Sequence, residues 1–519
     1  MNFFPYINGT VSLKEGSFHL PEQLCAELGG FAPFCLNAFS ARTGLPVTED
    51  SPWLILKRDE TLLREEYALT VMTDSVTVAA SAEQGVILAL TTLFTVLDGK
   101  TVSCFAVTDR PRNAHRGISF DTVRQFFPAD EVKKLLEELS LVKMNVFHFH
   151  LADDQGWRIE SERYPRLQEI SKEYYTKQEL RELVAFAADR GIEIIPEIDM
   201  PGHTTAVLAA YPELGCSGRE VKLPDYAGIF TDILCAGRES TYEFIENILD
   251  EVVPLFPSER FHIGGDEAPR KAWKDCPDCR AAFEGLHCAD WADLQGHFTC
   301  RVADMLKKRG KLPVCWSEVL NSSVRPDSMQ IQYWNINERK QVASWAAEGG
   351  QVIFSDMFDL YFDYPHSMTP LKRVFSVNPK LKGKNKGIIG IECPVWCERI
   401  HDNKQLETRL FPRTYAVADR AWGGKRPVYR TFRTDLKRVC DRAAERDVCS
   451  TPESWWDPCG PESSKETLEY FAKVTQLPPG AEETTEAAPL SFAYVWCFIT
   501  KFFAPREILP ALKLMKGSK

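Results

Sequence analysis

Two adjacent carboxylates, Asp266 and Glu267, are the residues of this sequence best suited to acid–base chemistry. Taken alone, an acidic pair is usually a solvated turn, and a single tryptophan is usually part of a core. Further carboxylates and tryptophans, with an arginine, a histidine and a tyrosine, lie in other short segments of the chain. These further candidates are Arg124, Asp153, His203, Trp316, Trp334, Tyr361, Asp363, Trp396 and Glu398.

Alternating strands and helices must position these candidates. Short apolar runs predict eight strands, at 117–121, 145–151, 192–198, 260–264, 312–316, 329–334, 351–355 and 388–396. Helical patterns fall between them, at 130–143, 176–190, 242–256, 290–309 and 404–422. This alternation is typical of an α/β protein with a (β/α)8 barrel. A doubly wound open sheet is the alternative, but no glycine-rich phosphate loop follows the first strand.

Each candidate lies at or beyond the end of a predicted strand. Barrel enzymes carry their reactive groups at the carboxyl ends of the strands, so these side chains are expected to meet at one rim. Tryptophan faces stack on the C–H faces of a sugar, and carboxylates accept hydrogen bonds from its hydroxyls. The combination favours a glycosidase.

The adjacency of Asp266 and Glu267 restricts the mechanism. Retaining glycosidases hold two carboxylates about 5 Å apart across the scissile bond, and inverting ones about 6.5–9.5 Å apart. Consecutive residues of an extended chain point to opposite sides, so this pair is poorly placed for such roles. A substrate-assisted reaction needs one acid only. Glu267 would protonate the leaving oxygen, the substrate's 2-acetamido oxygen would attack, and Asp266 would orient that group.

The flanking regions predict further domains. Residues 1–110 form a small α+β unit, with a strand hairpin at 67–71 and 75–80 and a helix at 82–97. The barrel is assigned to 111–440, and 441–519 is a C-terminal extension that is helical in part. Its apolar stretch at 490–504 is shorter than the ~20 residues that a membrane span needs.

Composition limits the partners. The 519 residues carry a net charge of −11, which argues against nucleic acid and makes a membrane role unlikely. No signal peptide is recognised, so a cytoplasmic location is expected. No cofactor is predicted.

The sixteen cysteines are expected to be free thiols. Cys276-Pro-Asp-Cys279, with Cys288 and Cys300 downstream, hints at zinc, but the spacing of the second pair does not fit a zinc ribbon. The sequence therefore favours structural cysteines and no metal.

Four segments resemble family 20 of the glycoside hydrolases, the β-N-acetylhexosaminidases, over about residues 50–425. The most specific is His262-Ile-Gly-Gly-Asp-Glu267; the others agree in order and spacing. They are Asp-Thr-Val-Arg124, His-Phe-His-Leu-Ala-Asp-Asp-Gln-Gly-Trp157 and Pro-Glu-Ile-Asp-Met-Pro-Gly-His203. The resemblance implies a retaining exo-enzyme that removes terminal β-linked N-acetylhexosamine through an oxazolinium intermediate.

The resemblance also implies roles for individual residues. Glu267 would be the acid and then the base, Asp266 would hold the acetamido nitrogen, and Tyr361 would donate to the acetamido oxygen. Trp316, Trp334 and Trp396 would enclose the acetamido methyl and the ring. Arg124, Asp363 and Glu398 would bind the outer hydroxyls. Asp153 and His203 would support the acid.

Three alternatives stay open. His148 and His150 resemble the histidine pair of metal-dependent amidohydrolases. A disaccharide-releasing hexosaminidase and a non-catalytic sugar-binding module are the others. The sequence does not decide between GlcNAc and GalNAc, whether the substrate is an oligosaccharide or a glycoconjugate, or the oligomeric state.

Overall fold

The computed structural model describes residues 2–381, 387–474 and 485–486. The apolar stretch at 490–504 lies outside these residues. Within them, no helix is long and apolar enough to cross a membrane. All fifteen cysteines of this part of the chain are free thiols. The expected cytoplasmic location stays a prediction.

Residues 10–109 build a seven-stranded sheet with two helices. The predicted hairpin is present as antiparallel strands Tyr67–Val71 and Val76–Ala80, whose side chains alternate between buried and half-buried positions. The helix Glu83–Thr95 packs its apolar residues on this sheet, and Asn37–Thr43 is the second helix. In spatial order the strands are Thr10–His19, Thr101–Asp109, Tyr67–Val71, Val76–Ala80, Leu54–Arg58, Leu24–Glu27 and Val47–Thr48.

Eight parallel strands then close into a barrel in chain order. They are His115–Asp121, Val146–His150, Glu193–Glu197, Arg260–His262, Leu312–Trp316, Gln330–Tyr333, Gln351–Phe354 and Ile388–Val395. The first two are buried along their whole length, as expected for strands covered on both faces. The prediction of a (β/α)8 barrel behind a small α+β domain is confirmed.

The helices around the barrel follow the sequence pattern with a few differences. The predicted capping box is present at Thr176, whose hydroxyl accepts from the backbone N–H of Glu179. The helix predicted at 404–422 is wrong as a single helix: it is divided at Phe411-Pro412, because proline has no N–H to continue the ladder. The helices from Ala129 onward are Ala129–Leu141, Arg166–Ser171, Lys177–Ala188, Thr205–Ala210, Glu239–Val252, Lys271–Asp275, Pro277–Gly285, Trp291–Lys308, Arg339–Ala347, Met357–Leu360, Leu371–Phe375, Asn403–Leu410, Arg413–Trp422, Tyr429–Ala444 and Pro461–Val474.

Buried polar contacts join the small domain to the barrel. The Arg116 guanidinium donates to both carboxylate oxygens of Glu65, at 2.9 and 2.7 Å. Lys143 Nζ donates to Asp109 Oδ2 at 2.8 Å, and Trp422 Nε1 donates to Asp109 Oδ1 at 2.9 Å. The Arg116 and Lys143 side chains are almost entirely buried. The small domain therefore neutralises cations that belong to the barrel.

Candidate active site

The carboxyl ends of the barrel strands bring the predicted site residues to one rim. One group of side chains forms a chain of polar contacts, from Arg124 through Asp153 and His203 to Asp266 and Glu267. A second group forms an aromatic wall, and a third lies beside Arg124. These groupings match the sequence prediction, while the role of each residue stays a prediction.

His203 connects the acidic pair to Asp153. Its Nδ1 lies 3.2 Å from Asp153 Oδ1, and its Nε2 lies 3.6 Å from Glu267 Oε2 and 3.9 Å from Asp266 Oδ2. Burial lowers the pKa of His203, but the charge of Asp153 outweighs it and holds the pKa well above its usual value. Asp153 also accepts from Arg124 Nη2 at 2.7 Å. An imidazolium therefore faces both carboxylates of the pair.

The acidic pair is not extended, which differs from the sequence argument. Glu267 has a φ of +43°, in the left-handed region. Such a conformation costs a non-glycine residue free energy and is held by its surroundings. Both carboxylates consequently approach the same His203 nitrogen. The conclusion about mechanism remains, because two groups on one side cannot flank an anomeric carbon as acid and nucleophile.

Asp266 is buried beside a second carboxyl group, Asp199. Burial raises the pKa of Asp266 to about 6, with the charge of Glu267 adding to it and His203 opposing it. Burial and the charge of Asp266 hold the pKa of Asp199 well above its usual range, so Asp199 keeps its proton to a higher pH than an ordinary aspartate. Asp266 Oδ1 is buried and has no hydrogen-bond partner among the described residues. One acceptor of Asp266 is therefore not committed to another described residue.

Two glycines allow Asp199 to reach this position. Gly264 and Gly265 have φ values of +63° and +100°. A Cβ on Gly264 would lie 1.6 Å from Asp199 Oδ1. The Gly265 N–H donates to the same oxygen at 3.0 Å. The fourth strand was predicted to reach Gly264 but ends at His262, because these left-handed residues leave the extended conformation.

Four aromatic side chains form the wall of the pocket. The Trp334 and Tyr361 rings stack with centroids 6.1 Å apart, and Trp396 lies 6.0 Å from Trp316 and 6.3 Å from Tyr361. Trp316 Nε1 donates to Glu197 Oε1 at 2.9 Å. Trp334 Nε1 likewise donates to Glu318 Oε2 at 2.8 Å. Buried carboxylates behind the wall therefore help to fix the planes of both indole rings.

Asp363 and Glu398 form the third group. Burial and the charge of Glu398 raise the pKa of Asp363 to about 7. Asp363 Oδ1 is buried without a hydrogen-bond partner among the described residues. Arg124 Cζ lies 5.3 Å over the Trp396 ring, which joins this edge to the aromatic wall.

Several site residues escaped the sequence analysis. Glu197 and Asp199 lie inside a recognised segment. The pattern gives no sign that Glu197 would accept a hydrogen bond from Trp316 or that the pKa of Asp199 would be raised. Glu318 lies two residues after Trp316 and could have been found as a strand-end carboxylate. Tyr470 donates to Asp363 Oδ2 at 3.2 Å from the helix Pro461–Val474, and no local signal marks it.

The two histidines of the amidohydrolase alternative lie inside the barrel with carboxylate partners. His148 Nδ1 lies 2.8 Å from Glu392 Oε1, and His150 Nε2 lies 2.8 Å from Asp153 Oδ2. Burial lowers the pKa of His148, but the charges of Glu197 and Glu392 outweigh it and raise the pKa to about 9. A metal ligand must be a neutral imidazole, so this environment does not favour a metal pair.

Comparison with known proteins identifies the barrel. Residues 113–425 match the family model "Glycosyl hydrolase family 20, catalytic domain". A beta-hexosaminidase of Porphyromonas gingivalis is 33% identical over 387 residues; the match covers 68% of this chain and about half, 48%, of that protein.

Solved structures give the same result. The beta-N-acetylhexosaminidase from Bacteroides fragilis has a TM-score of 0.80 and 30% identity, covering 87% of this chain and 98% of its own. The exo beta-N-acetylglucosaminidase from Vibrio harveyi, in complex with N-acetylglucosamine, has a TM-score of 0.77 and 27% identity. The match covers 87% of this chain and 78% of that one. Neither the amidohydrolase nor the disaccharide-releasing alternative gains support. The chain therefore belongs to glycosyl hydrolase family 20, and its barrel is the catalytic domain of a β-N-acetylhexosaminidase, a glycoside hydrolase.

Proposed function

We propose that the protein removes terminal, non-reducing β-linked N-acetylhexosamine from oligosaccharides or glycoconjugates, with the substrate's acetamido group as nucleophile. The observation that carries the proposal is the geometry of the acidic pair: the Asp266 and Glu267 carboxyl groups lie 3.9 and 3.6 Å from His203 Nε2, and Asp266 Oδ1 has no hydrogen-bond partner among the described residues. An acetamido N–H can donate a hydrogen bond to the Asp266 carboxylate. The V. harveyi relative, solved with N-acetylglucosamine, supports a substrate of this class.

In this proposal each step falls to residues of the chain. Glu267 gives its proton to the leaving oxygen as the glycosidic bond breaks, and the acetamido carbonyl oxygen forms a new bond to the anomeric carbon. Asp266 accepts from the acetamido N–H and stabilises the positive charge of the oxazolinium ion, while the Tyr361 hydroxyl donates to the acetamido oxygen. Glu267 then takes a proton from the water that opens the ring, which retains the anomeric configuration.

A comparison of substrates tests this proposal. Purified protein should hydrolyse aryl β-GlcNAc or aryl β-GalNAc glycosides much faster than the matching β-glucosides, because only the first two carry an acetamido group. A lacto-N-bioside substrate tests disaccharide release in the same assay. Equal rates on glucosides and N-acetylglucosaminides would contradict the use of the acetamido group.

The pKa of Asp266 predicts a pH dependence. Asp266 acts as a carboxylate, and its pKa of about 6 means that it gains a proton as the pH falls through that value. We expect kcat/KM to decline on the acid side with an apparent pKa near 6, well above that of an ordinary aspartate. Activity should return when acid-treated enzyme is assayed at neutral pH, which separates protonation from unfolding. An acid limb near the usual aspartate pKa would contradict this assignment.

Tyr470 predicts an effect on substrate binding. Its hydroxyl donates to Asp363 Oδ2 and so holds the carboxyl group that we expect to bind an outer hydroxyl of the substrate. Tyr470→Phe should raise KM by about 2- to 10-fold, the loss expected for one hydrogen bond, and change kcat little. Tyr429→Phe is the matched control, because its hydroxyl binds Asp457 away from the site. An unchanged KM would show that Tyr470 does not position Asp363.

A further inference from the structure

Four cysteine side chains meet between two loops at the barrel rim. Cys216 Sγ lies 3.7 Å from Cys279 Sγ, and Cys235 Sγ lies 3.7 Å from Cys276 Sγ and 3.5 Å from Cys279 Sγ. All four sulfur atoms lie within 4.8 Å of one another. Three of the residues are buried and Cys216 is half-buried, and none is in a disulfide. This four-cysteine cluster has no part in the mechanism above.

The sulfur–sulfur distances distinguish a metal site from disulfides. A disulfide holds its sulfurs about 2.05 Å apart. A tetrahedral Zn²⁺ ion with Zn–S bonds of about 2.3 Å places its four sulfurs about 3.8 Å from one another. The three distances given above agree with the edges of such a tetrahedron. We propose that Cys216, Cys235, Cys276 and Cys279 bind one structural Zn²⁺ ion.

The backbone presents the four sulfurs as two pairs. Cys276 directly precedes the helix Pro277–Gly285, and Cys279 lies in the first turn of that helix. The two thiols point to the same side, since their sulfur atoms lie within 4.8 Å of each other. The second pair comes from two chain segments that meet at a bridge between Gly215 and Leu234. The Cys235 N–H donates to Leu214 O at 2.9 Å, which sets the register of that pair.

The surroundings bring the two pairs close and supply positive charge. A Cβ on Gly237 would lie 2.3 Å from the backbone of Asp278, so the two loops touch where only glycine fits. Arg238 donates to Asp278 Oδ2 at 2.6 Å and to Gly215 O at 2.8 Å. Four thiolates and one Zn²⁺ carry a net charge of −2, and a guanidinium beside them offsets part of it.

This arrangement explains why the pairing was missed in the sequence. Cys288 and Cys300, which follow the Cys276-x-x-Cys279 pair, are not members of the cluster. The two partners come instead from the loop that follows the third barrel strand. Nothing in local spacing indicates that these segments meet, because the barrel topology brings them together.

The position of the cluster gives the ion a structural role. The loop after the third strand presents His203 before it reaches Cys216, and the loop after the fourth strand presents Glu267 before it reaches Cys276. Trp273 Nε1 donates to Leu234 O at 2.9 Å between the same two loops. Four protein ligands leave no open position for chemistry. The ion would therefore link the loop that carries Glu267 to the loop that carries His203.

Metal analysis of the full-length protein tests the proposal independently of glycosidase activity. Elemental analysis should find one zinc per chain, and Cys276→Ser with Cys279→Ser should abolish it. Cys288→Ser and Cys300→Ser are matched controls, since both residues are half-buried and outside the cluster, and they should keep the zinc. A thiol-blocking mercurial should release zinc from the wild type, measured with a chelating dye.

A second measurement avoids variants that fail to fold. Protein produced with cobalt should show the thiolate charge-transfer and visible bands of tetrahedral Co(II), and X-ray absorption of the zinc form should give four sulfur neighbours at about 2.3 Å. Zinc-free protein after reconstitution, iron in place of zinc, or disulfides among these four residues in peptide mapping would each overturn the proposal.

Discussion

Glu267→Gln should lower kcat on natural β-linked N-acetylhexosaminides by about 10²- to 10⁴-fold, the usual contribution of a general acid. Glutamine keeps the shape of the side chain but has no proton of suitable acidity for the leaving oxygen. The loss should be much smaller on an aryl glycoside with a very good leaving group, because departure then needs little protonation. Measuring kcat over a series of leaving groups checks both expectations.

The leaving-group series also supplies the control. Glu284→Gln changes an exposed glutamate on the helix Pro277–Gly285, downstream of the same loop, and should leave the whole series unchanged. A Glu267→Gln enzyme that cleaves poor and good leaving groups with equal losses would show that Glu267 is not the acid. Circular dichroism and Tm of both variants should match the wild type.

Asp266→Asn should lower kcat by about 10²- to 10³-fold for every leaving group. Asparagine can no longer balance the positive charge that develops as the acetamido oxygen attacks. In this mechanism Asp266 contacts the acetamido nitrogen and not the leaving oxygen, so the loss should vary less with leaving group than the loss in Glu267→Gln. This distinguishes Asp266 from Glu267 although the two residues are neighbours in the chain.

A cyclic thiazoline that imitates the oxazolinium ion gives a second readout for Asp266. Its Kd should rise strongly in Asp266→Asn, since a carboxylate no longer faces the ring nitrogen. Asp275→Asn, an exposed aspartate at the end of the helix Lys271–Asp275, is the matched control. Wild-type rates in Asp266→Asn would contradict the substrate-assisted route itself.

Local pattern predicted the fold and the positions of the site residues well. Eight apolar segments marked the strands, and side chains able to do chemistry lie at their ends because a barrel directs all its strand ends to one rim. The predicted helix at 404–422 failed at Pro412, where the apolar spacing continues but the hydrogen-bond ladder cannot. Backbone conformation was equally invisible: the left-handed φ of Glu267 depends on what surrounds it.

Long-range partnerships escaped the sequence for a physical reason. The raised pKa of Asp199 results from burial next to Asp266, and Tyr470 reaches Asp363 from a helix more than a hundred residues later. The distances between Cys216 and Cys279 likewise depend on how two loops cross. Composition and spacing along the chain do not indicate any of these contacts.

The buried ion pairs between the barrel and the small domain limit how the two domains can be recombined with those of other proteins. A recombination breakpoint between residues 109 and 115 would leave Arg116 and Lys143 with the barrel and carry Glu65 and Asp109 away. Stranding a buried charge costs about 3–5 kcal/mol for each pair broken, a large part of the stability of a domain. A foreign small domain could therefore replace this one without a large loss of stability only by bringing its own carboxylates to the same two places.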